Sequence, residues 1–219
     1  MDFSVLWPNT PYMLDGLKVT IVLALVSLAG SLVGGTFLAL LRLSPWWWLR
    51  WPAILYIDLL RMVPLIMVIF WFFFLLPILT GGPVGATAAA LAALIAFNSS
   101  YMAEVIRAGI QSVSRGLVEA GRCSGLTYRQ CMWNVVLPIA IKNILPSLVN
   151  RLIALVMGTS LVYIIGVTEF FRAANNINNR IFRPYEIYIS VAVVYFLLCY
   201  SLSLFGRFLE RRLAYAKTS

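Results

Sequence analysis

The sequence contains no histidine, only 8 acidic residues, and 3 cysteines with neither a CxxC pair nor a metal-ligand spacing. Without histidine the commonest general base and metal ligand is missing. The odd cysteine count, from Cys123, Cys131 and Cys199, argues against a disulfide framework of the secreted kind. No Gly-x-x-x-x-Gly-Lys-Ser/Thr run occurs, so the chain is expected to bind no ATP itself. Charge is scarce too: 11% of the 219 residues are charged and 62% are hydrophobic, against roughly 25% and 45–50% in an ordinary soluble domain. A chain with so little polar surface belongs in a bilayer, and catalysis by the usual constellations is disfavoured.

What charge there is divides the chain. A crossing needs about 20 apolar residues at ~1.5 Å rise to traverse ~30 Å of hydrocarbon. Between Lys18 and Arg42 lie 23 uncharged residues. Between Arg61 and Glu104 lie 42, twice one crossing, and the middle reads Pro77-Ile-Leu-Thr-Gly-Gly-Pro-Val-Gly85, a turn between two helices. The expected spans are therefore 17–41, 62–79, 84–106, 144–168 and 187–206, an all-α integral membrane protein of five transmembrane helices in one domain. The first 16 residues lack a basic segment followed by an apolar core, so no cleaved signal peptide is expected and this opening should lie along the interface.

Orientation follows from where lysine and arginine collect, because cytoplasmic loops hold the excess. Arg42, Arg50, Arg61, Arg107, Arg115, Arg122, Arg129, Lys142, Arg151, Arg207, Arg211, Arg212 and Lys217 fall on one side, against Lys18, Arg172, Arg180 and Arg183 on the other. The N-terminus is expected outside and the C-terminus inside. Membrane topology thereby accounts for most of the net charge of +9, with no nucleic acid partner required.

The basic stretch between the third and fourth spans, 112–138, mixes charge with Leu117, Val118, Leu126, Met132, Trp133, Val135 and Val136. Gly116 and Gly125 should interrupt helices, leaving two or three short amphipathic helices made to dock on a protein. Here Glu119-Ala120-Gly121, three residues, Gly125, nine residues and Val135-Val136-Leu137-Pro138 follow one another without a gap. This resembles the membrane subunits of bacterial ABC importers, whose pattern is Glu-Ala-Ala, three residues, Gly, nine residues, then Ile-x-Leu-Pro. The resemblance implies that the segment is a coupling helix, seated in a groove of a cytoplasmic ATPase through Glu119, Ala120, Gly121, Gly125, Leu137 and Pro138. Gly121 in place of alanine should loosen that helix by roughly 0.5–1 kcal/mol.

Nearly the whole chain is similar to the polar amino acid branch of that family, through Arg61-x-x-Pro64, Tyr101-x-x-Glu104-x-x-Arg107-x-Gly109, Arg115-Gly116, Thr159-Ser160-Leu161 and Glu210-Arg211-Arg212. Within the branch it is most like glutamate/aspartate permeases, through Leu14-Asp15-Gly16-Leu17, Met67-Val68, Trp71-Phe72, Ile106 to Ser112 and Phe170-Phe171-Arg172. It departs from common members at Leu117 and Ile139, where glutamine is usual, and at Gly158, where aspartate is. The resemblance implies a bacterial inner-membrane permease subunit, with a homologous or identical second permease chain, cytoplasmic ABC ATPase subunits and a periplasmic amino acid-binding protein as partners. Lipid surrounds it, and ATP and magnesium belong to the ATPase, so the permease itself carries no cofactor. Rival readings are import of glutamine or basic amino acids, a non-transporting membrane anchor, and an intramembrane enzyme. The last would need facing acid, base or nucleophile groups at membrane depth.

Polar residues inside the spans are the other informative feature. Asn98-Ser99-Ser100 and Thr159-Ser160 are uncharged hydrogen-bonding clusters, explained either by helix-to-helix and back-bonding or by contact with a polar amino acid in transit. Arg151, near the start of the fourth span, either snorkels to the interface or meets an anionic substrate group in a wet cavity. Glu104 with Arg107, and Asp58 with Arg61, read as i,i+3 structural pairs. Gly30-x-x-x-Gly34 with Gly35 reads as close helix packing, and Trp46-Trp47-Trp48 as an interfacial anchor. The charge tally has a direct test. In a background without native cysteines, Gly82→Cys should react with an impermeant thiol reagent added from the periplasm, and Ser114→Cys should not. The reverse labelling would invert the topology.

Overall fold

Uncharged runs of this length can satisfy their backbone in hydrocarbon only as helices, and the computed structural model, which describes residues 3–215, contains no strand among those residues. Lys217 of the basic tail lies outside the described residues. Nine α-helices are present among the described residues: α1 Thr10–Leu43, α2 Trp47–Met62, α3 Leu65–Thr80, α4 Ala86–Gln111, α5 Arg115–Cys123, α6 Tyr128–Cys131, α7 Leu137–Thr159, α8 Phe170–Ile181 and α9 Pro184–Tyr215. The opening segment is a 3-10 helix, Phe3–Asn9, that runs directly into α1, whose first turn accommodates Pro11.

Among the described residues four helices are long and apolar enough to cross a membrane, and a fifth crossing exists if the bent pair α2 and α3 counts as one. This pair departs most from the sequence expectation. The stretch after the first span is a 16-residue helix, α2, which meets α3 at a 113° bend across Val63 and Pro64. Pro64 forces the break: it lacks an amide hydrogen and holds Val63 in an extended conformation. The second span therefore begins at Leu65, and α3, 16 residues long, reaches only about 24 Å at ~1.5 Å per residue. Elsewhere the helices outrun the uncharged segments, because a helix does not end where charge begins. α4 continues to Gln111, and α7 starts at Leu137 and passes at Ser160 into a 3-10 segment ending at Ile165.

The two longest packed faces belong to α1 and α4. A Cβ placed on Gly30 would lie 2.8 Å from Ile95 Cδ1, on Gly34 2.5 Å from Ser99 Oγ, and on Gly35 2.5 Å from Met102 Cβ. The small-residue face therefore brings the α1 backbone against α4, as read from the glycine spacing. α4 answers with Ala89, Ala90, Ala93 and Leu94, all fully buried. At the far end from α5, Glu169 is completely buried and caps α8. Its carboxylate accepts the amides of Phe171 and Arg172 at 2.8 Å and the Tyr195 hydroxyl at 3.2 Å. Thr20 of α1 accepts the Phe170 amide at 3.1 Å, so α1, α8 and α9 are tied at one point.

The seam predicts an asymmetry between glycines. Gly35→Ala must displace Met102 Cβ and the Ala103 backbone, and should destabilise the protein by about 1–3 kcal/mol. Gly85→Ala, where a Cβ meets nothing within 4 Å, should be neutral within ~0.5 kcal/mol. Thermal aggregation of the detergent-solubilised protein distinguishes the two, and equal midpoints would refute the tight seam.

Candidate functional site

The segment between α4 and α7 folds as the amphipathic pattern requires. Gly125 adopts φ +82°, a left-handed turn open to glycine, and Thr127 with Gln130 forms a reciprocal capping box that starts α6. One π turn, Met132–Val136, then feeds α7. Gly116 does not interrupt a helix; it sits in the first turn of α5. Gly121 is buried, and a Cβ there would come within 3.2 Å of Cys131 Sγ, so its lost helix propensity is exchanged for close packing of α5 on α6. Glu119 and Ala120 are exposed beside Leu117, Tyr128 and Trp133, giving an open apolar and charged surface. Leu137 and Pro138 belong to the first turn of α7 and lie outside this surface loop.

At the same end of the bundle Glu104 is more than one half of an i,i+3 pair. Its carboxylate pairs with Arg107, lies 2.9 Å from Arg42 Nη1 of α1 and 3.8 Å from Arg61 Nη1 at the end of α2. Asp58 does not pair with Arg61 but approaches Arg42 at 3.6 Å, because the α2 face carrying Ile57 packs against Ala39 of α1 and Ala103 of α4. Three guanidinium groups from three helices thus converge on one carboxylate, which locks the α2–α3 bend to α1 and α4.

Arg151 lies well inside α7. Fourteen residues of α7 precede it, and its Nη2 donates to Asn98 Oδ1 of α4 at 3.0 Å. Its guanidinium lies over the Tyr101 ring, 4.0 Å from the centroid, and Arg61 approaches the same ring at 5.4 Å. Arg151 Nε is buried without a hydrogen bond. Asn98 donates its own Nδ2 to Leu94 O at 2.8 Å, so the amide is oriented with its oxygen toward the cation. Tyr101 was not among the residues singled out for the pathway. Its i+3 position from Asn98 is the signal that places both on one face of α4.

The other polar residues part company with this pair. Ser99 is buried in the α1 seam against Gly34, and Ser100 bonds back to Phe97 O at 2.7 Å. Thr159 is fully buried and bonds Val156 O, and Ser160 bonds Met157 O, both at 2.7 Å, where the α-helix tightens to 3-10. They lie eight and nine residues beyond Arg151, about 12 Å along the helix. Below Arg151 a cleft of about 360 Å³ opens between α4 and α7, lined by Glu104, Ala108, Ser112, Asn143 and Ser147 among others. Asn143 Nδ2 donates to Ser112 Oγ across it at 2.8 Å. Among the described residues no group of three His, Cys, Asp or Glu could hold a metal.

A membrane bundle with one exposed amphipathic segment matches a known family model, the binding-protein-dependent transport system inner membrane component, over residues 16–215. The chain belongs to this family. It is 36% identical to the glutamate/aspartate import permease protein GltK of Escherichia coli O6:H1, with 97% of this chain and 98% of that protein covered. It is equally 36% identical to the probable glutamine ABC transporter permease protein GlnM of Bacillus subtilis strain 168, at the same coverage. Among solved structures it matches the crystal structure of an amino acid ABC transporter with histidines at a TM-score of 0.91 and 33% identity, covering 97% of this chain and 99% of that one. The protein is therefore a permease subunit of an amino acid ABC importer in the inner membrane, a transporter component and not an enzyme. The family implies an ATPase and a binding protein as partners.

In the permease the Glu104 cluster generates a prediction. Glu104→Ala leaves Arg42, Arg61 and Arg107 facing one another and should cost about 1.5–3 kcal/mol, the range for a hydrogen bond to a charged group. Asp58→Ala removes only a 3.6 Å contact of a half-exposed side chain and should cost less than about 1 kcal/mol. Thermal inactivation in detergent orders the two, and an equal or reversed order would show that Glu104 is not the centre.

Proposed function

We propose that this permease carries an acidic amino acid, glutamate or aspartate, past Arg151, with its N-terminus outside, its C-terminus inside and five crossings. The observation that carries the substrate reading is Arg151 itself: a cation deep in α7, held sideways by Asn98 and Tyr101, with its buried Nε–H lacking a partner. A guanidinium suits a carboxylate because its donors lie in a planar fork. The equal identity to glutamate/aspartate and glutamine permeases supports a polar amino acid and is neutral between the two. Asn98 and Arg151 are the pathway residues in this reading, whereas Ser99, Thr159 and Ser160 hold the helices around them.

In the same reading the surface around Glu119, Ala120, Gly121 and Gly125 docks on the ATPase, which binds ATP and magnesium. Leu137 and Pro138 transmit the movement as the first turn of α7. A second permease chain, identical or homologous, completes the pathway, and a periplasmic binding protein delivers the amino acid. Alternating access then follows from rocking of α7 against α4.

The test uses the complete importer in proteoliposomes. Arg151→Gln should weaken uptake of glutamate and aspartate more than that of glutamine. A loss of about 1.5–3 kcal/mol, as for a hydrogen bond to a charged group, is tenfold or more in apparent affinity. Glu119→Lys in parallel should lower uptake of all three equally, since it acts on coupling. If Arg151→Gln weakens all three alike, the arginine is structural; if the wild-type importer prefers cationic amino acids, the acidic assignment is wrong.

A further inference from the structure

α7 carries a second set of polar groups that the reading above does not use. Asn143, Ser147 and Asn150 recur at i, i+4 and i+7, lie on one face of the helix, and are all exposed in the chain. Arg151 follows Ser147 by four residues, so the stripe rises along α7 from the 360 Å³ cleft to the Arg151–Asn98 pair. Ser147 and Asn150 fall inside the expected fourth span, and an exposed carboxamide there cannot face lipid, which offers it no hydrogen bonds. Such groups mark wet cavities and substrate paths.

The geometry points to this stripe and the cleft beneath it as a second holding station, for a zwitterionic amino acid between Arg151 and the coupling end. This rests on Arg151 lying in the pathway. Both Asn and Ser present a donor and an acceptor together, which is what an α-carboxylate and an α-ammonium require from neutral partners. Asn143 gives one of its two amide hydrogens to Ser112, and its oxygen is left as an acceptor for the ammonium. Ser147 and Asn150 lie closer to Arg151 and supply donors on the carboxylate side. The cleft volume falls at the lower end of small-molecule sites, about 300–1,000 Å³. By contrast, the cavity of about 220 Å³ between α1, α7 and α9 is lined by Ile21, Leu25, Leu152, Val156 and Leu198, with Thr20 and Ser201 already bonded to their own helices or neighbours. It offers no such path.

The experiment places single cysteines at Ser147, Asn150 and Ser201 of the assembled importer lacking native cysteines. Each is exposed to 2-(trimethylammonium)ethyl methanethiosulfonate in inside-out vesicles. Ser147→Cys and Asn150→Cys should react, and glutamate, glutamine or arginine at about ten times its Kd should slow the reaction about tenfold, since only the free fraction is modified. Ser201→Cys should be unreactive. Loss of reactivity at both stripe positions, or reaction that none of the three amino acids slows, overturns the station. Protection by arginine alone keeps the station and sinks the acidic-substrate reading, so the two failures are separable. If the cysteine variants are not assembled, Ser147→Ala and Asn150→Ala uptake is measured instead; a several-fold rise in KM supports the station, and an unchanged KM in both overturns it.

Discussion

The close approach of α1 to α4 supports everything else in the permease. Gly30, Gly34 and Gly35 leave no side chain between the two backbones, so α4 is fixed along most of its length by a surface that no larger residue could share. α4 in turn carries Asn98, Tyr101, Glu104 and Arg107 on successive turns. With that helix immobilised, Arg151 of α7 and Arg61 of α2 find partners at defined positions. In lipid, where apolar burial between helices yields little, this van der Waals seam is the principal source of register.

The second constraint is that a cation inside the bundle has to be answered from within the chain. The permease solves this twice and in different ways. At the end bearing α5, Glu104 gathers three arginines from three helices, a closed arrangement suited to holding the α2–α3 bend. Deeper in the bundle Arg151 has only an amide oxygen and an aromatic face, neither of which neutralises its charge. Each keeps a buried polar atom without a hydrogen bond, Glu104 Oε2 and Arg42 Nη1 in the first and Arg151 Nε in the second, but only the first sets a carboxylate against its cations.

The glycines of the segment between α4 and α7 divide by mechanism. Gly125 is needed for its positive φ, with open space around it, whereas Gly121 is needed for its lack of a side chain against Cys131. Together they present Glu119 and its apolar neighbours as a single rigid knuckle between α4 and α7, the two helices whose cleft leads toward Arg151.

Hydrophobicity, charge placement and motif spacing in the sequence by themselves determined the class: a multi-span helical membrane protein, the turn at Gly81 to Gly85, the small-residue face of α1 and the family. These are properties of one segment at a time, set by the length of an uncharged run or the period of a helix. What only tertiary structure decided depends on which helices meet. The α2 helix is marked by no uncharged run, because Arg50, Asp58 and Arg61 punctuate it, yet packing of Ala53, Ile57 and Leu60 holds it. Arg151 reads as a residue near the start of the fourth span, while α7 begins fourteen residues earlier through Leu137 and Pro138. Its partners, Asn98 and Tyr101, stand about fifty residues away in the chain, and no local pattern can name a contact at that separation.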